Sequence, residues 1–236
     1  MADIEAAILG LRPVKLLQGL TDEALGRVAR VCSWRRFAVG KSVITRSSPS
    51  RDLFIVVSGR VRVTVYTASG RRVTFRDLAE GEIFGELAAV DGGSRSVDVL
   101  AITEVLVAVM APSDLNALLR ENPLVAGQFT RYLVQLIRRL TDTVIELSTL
   151  GVVNRIHAEL LRLAIETGPE SSGSCVLSPA PRHADIAARV STTREQVTRE
   201  ISVLTKRGLL VKHPDGMLVS DVKALEGIVE RASRDA

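Results

Sequence analysis

Apolar residues along this chain fall into three successive textures. Up to about residue 30 they recur at helical spacing, and Thr21 stands where it caps the stretch TDEALGRVARV. From Lys41 to Met110 the period shortens towards two. Leu53–Val57 is an unbroken apolar run, Gly59 marks a turn, and Val61, Val63 and Val65 alternate with Arg60, Arg62 and Thr64. Val73–Phe75, Val97–Ile102 and Val105–Met110 read as further strands between glycine-containing turns. Many short strands at this spacing predict a sandwich or jelly-roll barrel. Helical spacing then returns, with Pro112-Ser113 opening a short helix and Asn122-Pro123 a long one.

The long helix carries Leu133, Leu136, Leu140, Thr143, Leu147 and Leu150 at alternating steps of three and four residues. That is a heptad seam with one polar member. It predicts packing against another helix, most simply the same helix of a second copy, with packing on its own β domain as the alternative. Near Gly151 the helix bends or breaks, and Asn154–Glu166 reads as another amphipathic helix. The loop GPESSGSCVLSPAP then leads to the last segment. The expected architecture is α+β: a β-roll domain over 1–121, a long dimerisation helix over 122–151, and a DNA-binding domain over 152–236.

Residues 184–204 support the last assignment. Ala184–Arg189 predicts a short helix, Val190–Thr192 a tight turn, and Thr193–Lys206 a second helix. Val197, Ile201 and Leu204 share its core face, and Arg194, Glu195, Thr198 and Arg199 lie elsewhere, towards its N-terminal end. A helix-turn-helix reads bases with that end of its second helix, and Thr193 opens it. Gly208 ends the helix, and Leu209–Lys212, His213-Pro214-Asp215-Gly216 and Met217–Ser220 make a hairpin wing. A purely structural reading of the same residues stays open. Thr192-x-x-Glu195 is also a capping box, and Glu195 with Arg199 is an ordinary ion pair at four-residue spacing.

Composition narrows the classes. Apolar residues make up 46% of the 236, so the chain folds, and with only 3% aromatics Val, Leu, Ile and Ala must fill the core. The net charge of +4 is compatible with a polyanionic partner without identifying one. The N-terminus, MADIEAAILGLRPVK, lacks the pattern of a signal peptide, and no run approaches the roughly 18 apolar residues of a membrane span. The expectation is a soluble cytoplasmic protein without a membrane partner. Cys32 and Cys175 lie far apart without metal-ligand spacing, so both read as reduced thiols and no metal is expected. No Ser–His–Asp-like set or P-loop lysine motif points to an enzyme.

The candidate ligand chemistry sits in residues 81–98, GEIFGELAAVDGGSRSVD. A strand ends at Phe84, and Gly85 lets backbone approach a ligand. Glu86-Leu87-Ala88-Ala89 forms a helical turn whose free N–H groups point at an anion. Arg95, after a loop of small residues, suits a phosphate in fork geometry, and Glu86 suits a ribose hydroxyl. Taken singly each element is weak, and Arg95 alone reads as an exposed loop residue. Together they describe a site for ribose joined to phosphate.

This segment resembles the phosphate-binding cassette of cyclic-nucleotide-binding domains: F-G-E-L-A, a short loop, then Arg and a small residue. Phe84-Gly85-Glu86-Leu87-Ala88 and Arg95-Ser96 match it. The order of jelly roll, long helix and winged helix-turn-helix resembles the CRP–FNR family of regulators over nearly the whole chain. The resemblance implies that Glu86 holds the ribose 2′-OH and that Arg95 and Ser96 contact the cyclic phosphate. The family's reading-helix pattern R-E-x-V-x-R appears as Arg194 to Arg199. It implies that Arg194, Glu195 and Arg199 contact bases of a TGTGA-like half-site in double-stranded DNA, with a homodimer bound and RNA polymerase as a further partner. Polar side chains of the long helix are expected to reach the base. Thr141 and Thr143 are the candidates, in registers that disagree by three residues, with Thr143 on the seam. The implied effector is cyclic AMP first, with cyclic GMP as the rival. A cyclic-nucleotide module that controls another protein without binding DNA is the alternative of a different class. The family's iron–sulfur and haem sensors fit poorly: only Cys32 lies in the N-terminal half, and His157, His183 and His213 all follow the β domain.

Overall fold

The computed structural model describes residues 2–170 and 173–234. Two helices lead: α1 (Ala2–Leu11) and α2 (Asp22–Val31), the latter capped by Thr21, whose hydroxyl accepts from the Ala24 N–H at 3.3 Å. Then come β1 (Ser33–Phe37), β2 (Ser42–Ile44), β3 (Leu53–Ser58), β4 (Val61–Tyr66), β5 (Arg72–Leu78) and β6 (Ile83–Phe84). A short helix α3 (Glu86–Asp91) precedes β7 (Asp98–Ala101) and β8 (Val105–Met110). Next are α4 (Pro112–Glu121), α5 (Pro123–Thr149) and α6 (Val152–Thr167). The chain closes with β9 (Cys175–Leu177), α7 (His183–Arg189), α8 (Arg194–Lys206), β10 (Leu210–His213), β11 (Gly216–Val219) and α9 (Val222–Arg234). β9 lies inside the stretch that reads as a loop, and Ser171 and Ser172 of that stretch lie outside the described residues.

The described residues divide into two compact units. One holds the chain up to Thr67 together with Thr74–Ile137, and the other holds Ala68–Val73 and the residues from Arg138 onward. In the first, two antiparallel sheets form the roll, ordered β1-β8-β3-β6 and β2-β7-β4-β5. The unbroken apolar run in β3 follows from its position. Leu53, Ile55 and Val57 point into a core shared with α1, α2, α4 and α5, whereas Phe54 and Val56 point into the core between the sheets. β8 divides the same way, with Ala108 and Met110 on one side and Val105, Val107 and Val109 on the other. A strand buried on both faces loses its polar alternation.

On α5, Val125 and Phe129 are buried in the helix-side core, and Leu133, one turn on, continues that face. The exposed apolar stripe is therefore Val134, Ile137, Leu140, Val144 and Leu147, about one residue round from the seam that the leucine spacing predicts. Leu133 packs at home, Leu136 is half-buried, and Leu150 is buried, so three of the expected seam leucines are not free.

In the second unit, β10-β11-β9 form a small sheet beside α6–α9, over a core that includes Ile156, Leu160, Ile186, Val197, Leu204 and Leu225. β9 approaches so closely that a Cβ at Gly216 would lie 2.0 Å from the Leu177 carbonyl oxygen, so that position needs glycine. At the end of α8 the Leu209 N–H bonds back to the Leu204 carbonyl across Gly208, which has φ +74°. That left-handed cap stops the helix and turns the chain into the wing.

Candidate functional site

The cassette is built at the end of β6. Phe84 is buried, with its ring stacked on Phe54 at 5.0 Å between centroids. Gly85 has φ +82°, and a Cβ there would meet Arg95 Nη1 at 2.6 Å and the Asp52 carbonyl oxygen at 2.9 Å. Only glycine combines that backbone with that approach. α3 starts at once, and the N–H groups of its first turn have no acceptor within the helix. The Glu86 carboxylate takes its own backbone N–H. Leu87 points outward and Ala88 inward.

Arg95 is not the exposed loop residue that its sequence context suggests: it is only 4% exposed. Its Nη1 donates to the Gly85 carbonyl at 3.1 Å, and its Nη2 donates to the Asp52 carbonyl at 2.8 Å and to Ser50 Oγ at 3.0 Å. The guanidinium also lies over the Phe54 ring, 5.4 Å from the centroid. Its Nε–H is buried with no partner. Burial lowers the Arg95 pKa, opposed by the charges of Asp52 and Glu86. The group remains a cation, as a guanidinium does in any protein setting. Ser96 beside it is exposed.

Glu86 is 6% exposed. Burial raises its pKa; its own N–H, Arg76 and Arg95 oppose that without cancelling it. Arg76 on β5 belongs to the site and is absent from the sequence reading, as is Tyr132 on α5. Arg76 Nη2 donates to the Tyr132 hydroxyl at 2.7 Å, and the hydroxyl lies 3.2 Å from the Ile83 carbonyl oxygen as donor. The signal for Arg76 is present in β5 but inverted. Thr74 faces inward at 3% exposure while Phe75 faces out at 47%, so polar residues occupy the face that should be apolar.

Thr141 and Thr143 both lie exposed on the later part of α5. Thr141 follows Ile137 by four residues and precedes Val144 by three, which puts it on the exposed stripe. Thr143 follows Leu140 by three residues and precedes Leu147 by four, so it borders the same stripe, and its hydroxyl donates to the Arg139 carbonyl at 2.9 Å.

In the second unit, α7 and α8 flank the turn Val190–Thr192, with Ser191 in the left-handed region at φ +53°. The Thr192 N–H bonds to the Ala187 carbonyl at 3.0 Å, and Arg155 Nε bonds to the Val190 carbonyl at 3.0 Å, so the turn is held from two sides. The cap of α8 is Thr193, which accepts from the Gln196 N–H at 3.4 Å, in place of the Thr192–Glu195 box. Arg194, Glu195, Thr198 and Arg199 are all exposed beyond a core face of Val197, Leu204 and half-buried Ile201. The side chains of Arg194 and Arg199 make no hydrogen bond or ion pair among the described residues, so the Glu195–Arg199 pair is not closed. The Glu195 carboxyl is held below its usual range by its own N–H and the Thr193 hydroxyl, with Arg194 and Arg199 adding to this. Thr198 is engaged: its hydroxyl bonds the Arg194 carbonyl at 2.9 Å and sits 2.8 Å from His183 Nδ1.

Both sites fall within known families. Residues 34–122 match the cyclic nucleotide-binding domain, and residues 154–228 match the Crp-like helix-turn-helix domain. A cyclic AMP receptor protein of Thermus thermophilus is 30% identical over 217 residues, covering 90% of this chain and 95% of the relative. This chain belongs to the CRP–FNR family of transcription regulators. Another CRP–FNR relative, a CRP-like cAMP-activated global transcriptional regulator of Mycobacterium tuberculosis, is 26% identical over 89% of this chain and 94% of its own length. In fold, the regulator is similar to a CooA mutant from Carboxydothermus hydrogenoformans, with a TM-score of 0.74 at 20% identity over 86% of this chain and 90% of that one. As a CRP–FNR regulator, the protein joins a cyclic-nucleotide-binding domain to a DNA-binding helix-turn-helix domain. Among the described residues no helix is long and apolar enough to cross a membrane, and no cluster of His, Cys, Asp and Glu could hold a metal ion.

Proposed function

We propose that this protein is a cytoplasmic, homodimeric transcription regulator switched by a 3′,5′-cyclic purine mononucleotide, and not an enzyme. The observation that carries the ligand is Arg95, a buried cation with an unused Nε–H, beside the buried Glu86 carboxylate at the start of α3. A cyclic phosphate supplies the missing anion, and a ribose 2′-OH donates to Glu86. Phe84, Gly85, Leu87 and Ala88 shape this cradle, and Ser96 adds a hydroxyl at its rim. Cyclic AMP is the effector that the relatives' names carry, cyclic GMP is its rival, and the base end of the pocket decides between them.

The exposed stripe on α5 supports pairing with a second copy, since five large apolar side chains at coiled-coil spacing cost free energy in water. Across such a seam Thr141 or Thr143 would reach the base of a bound nucleotide. In the DNA-binding half, unpaired Arg194 and Arg199 suit the paired acceptors of guanine, and Glu195 suits the amino group of cytosine. A twofold dimer places two such helices on half-sites about one helical turn apart, in a palindrome of the TGTGA type. Thr193 and Thr198 flank these readers. RNA polymerase is the expected further partner of a regulator bound there.

Calorimetry of the nucleotide-free full chain with cyclic AMP and cyclic GMP tests the pocket. Saturable binding of one nucleotide per chain supports it, and no heat with either overturns it.

A further inference from the structure

Two of the buried polar atoms that the phosphate-and-ribose reading leaves unused lie together on β5. Thr74, Arg76 and Leu78 alternate onto one face of that strand, inside the roll. Thr74 is 3% exposed, and its Oγ1 is buried with no hydrogen-bond partner. Arg76 Nη1 is likewise buried and unpartnered, while Nη2 is held by the Tyr132 hydroxyl. No carboxylate closes an ion pair with Arg76 among the described residues. Two orphaned polar groups on one inward face are expensive unless something occupies the space between them.

Their position relative to the cassette says which part of a ligand that is. Arg95 lies at the phosphate end of the cradle and Glu86 at its ribose. Arg76 acts on Glu86 electrostatically from β5 and makes none of Arg95's contacts to Gly85, Asp52 and Ser50; it is anchored instead to Tyr132 of α5 and through it to Ile83. The remaining part of a nucleotide, on the side of the ribose away from the phosphate, is the base. Tyr132 is fixed as an anchor: its hydroxyl accepts from Arg76 and donates to the Ile83 carbonyl, and burial pushes its pKa up to about 12. The guanidinium carbon lies 5.7 Å from the Tyr132 ring centroid, so the fork is held in orientation as well as in place.

An arginine only donates hydrogen bonds. It therefore favours a base edge made of acceptors. Guanine offers O6 and N7 side by side; adenine puts an amino group where guanine has O6. Resting on the pocket reading above, we infer that Arg76 is the residue that reads the base, that Tyr132 positions it, and that the effector is a 3′,5′-cyclic nucleotide with a guanine-type edge, cyclic GMP. Thr74, a donor and an acceptor, completes the contact without itself discriminating.

The test is calorimetry of the full chain with cyclic GMP, cyclic AMP and cyclic IMP, the last keeping O6 and N7 but lacking the 2-amino group. The wild type should bind cyclic GMP and cyclic IMP roughly 10–100-fold more tightly than cyclic AMP, the discrimination of one bidentate contact. Arg76→Ala should lose that margin, weakening cyclic GMP and cyclic IMP more than cyclic AMP. Arg76→Lys, which keeps the charge without the fork, guards against a folding defect and should lose most of the margin too. Tyr132→Phe should reduce the margin by releasing the guanidinium. Tighter binding of cyclic AMP by the wild type overturns the inference, and so does an equal loss for all three nucleotides in both Arg76 variants. If none of the three binds the wild type, the pocket reading itself falls; if all bind and only the margin is absent, the pocket stands and the assignment of Arg76 fails.

Discussion

The two functional regions of this regulator solve opposite problems. In the cassette the charged side chains are buried and hold the fold itself: Arg95 ties Gly85, Asp52 and Ser50 together, and Glu86 is sunk to 6% exposure. On α8 the charged side chains stand in water, and those of Arg194 and Arg199 close no hydrogen bond or ion pair among the described residues. The charged cassette residues therefore hold the fold together whatever ligand they meet, whereas the side chains of Arg194 and Arg199 on α8 carry no such structural role. Substitutions in the first region should disturb stability and ligand binding together; those in the second should separate the two.

The largest effect is expected at Arg95. Arg95→Leu should remove nucleotide binding; it takes the side-chain donor from the Asp52 carbonyl and leaves the Gly85 carbonyl only the Ala89 N–H, a cost on the order of 1–3 kcal/mol of stability. Thermal melting beside nucleotide titration checks this, and a variant that melts like wild type would break the contrast with α8. Next comes the α5 stripe. Ile137→Glu with Val144→Glu would set like charges against each other across a paired helix, and sedimentation should show a dimer for the wild type and monomers for the variant. Unchanged dimers would place the seam elsewhere.

On α8 the forecast is smaller and purely functional. Arg194→Ala or Arg199→Ala should cost about 1–3 kcal/mol of DNA affinity and relax preference at one base pair, with the melting temperature unchanged. Binding-site selection reads this directly, and a uniform loss over all sequences would reduce these residues to phosphate contacts. Thr193→Ala, which removes the helix cap, should lower stability by about 1 kcal/mol without touching base preference.

The pH response sharpens the same comparison. Because burial raises the Glu86 pKa in the fold, its contribution favours the folded state below the ordinary glutamate pKa and is lost as pH rises through the raised value. The ribose contact needs the ionised form, so nucleotide affinity should weaken on acidification at a pH where ordinary glutamates are still charged. Glu86→Gln should flatten that profile. Glu195 has the opposite sign: its lowered pKa contributes stability above the ordinary value, lost as pH falls through the depressed one.

What the sequence discloses divides along similar lines. β3, β4, β8 and the helix-turn-helix are legible because local period and turn residues specify them. β1 is missed since Ser33–Phe37 carries Arg35 and Arg36 between two aromatics and shows no clean alternation, and its partner β8 supplies the pairing. β9 is missed because it is three residues long within a Gly, Ser and Pro-rich stretch, and it exists by pairing with β11. In the pocket, the cassette is contiguous and readable. Arg76 and Tyr132 lie 56 residues apart, and only the fold brings them together. The exposed stripe of α5 differs from the leucine spacing because that spacing does not say which leucines pack against the rest of the chain.

The central claim is that nucleotide in the buried cassette controls DNA at the exposed helix. It is tested most directly by titrating a selected palindromic DNA with the full-length protein, with and without saturating cyclic nucleotide, and by the reciprocal titration of nucleotide with and without DNA. The account predicts that nucleotide tightens DNA binding and that DNA tightens nucleotide binding by the same factor, on the order of 5–150-fold. Equal DNA affinity in both states, with nucleotide demonstrably bound, would contradict it.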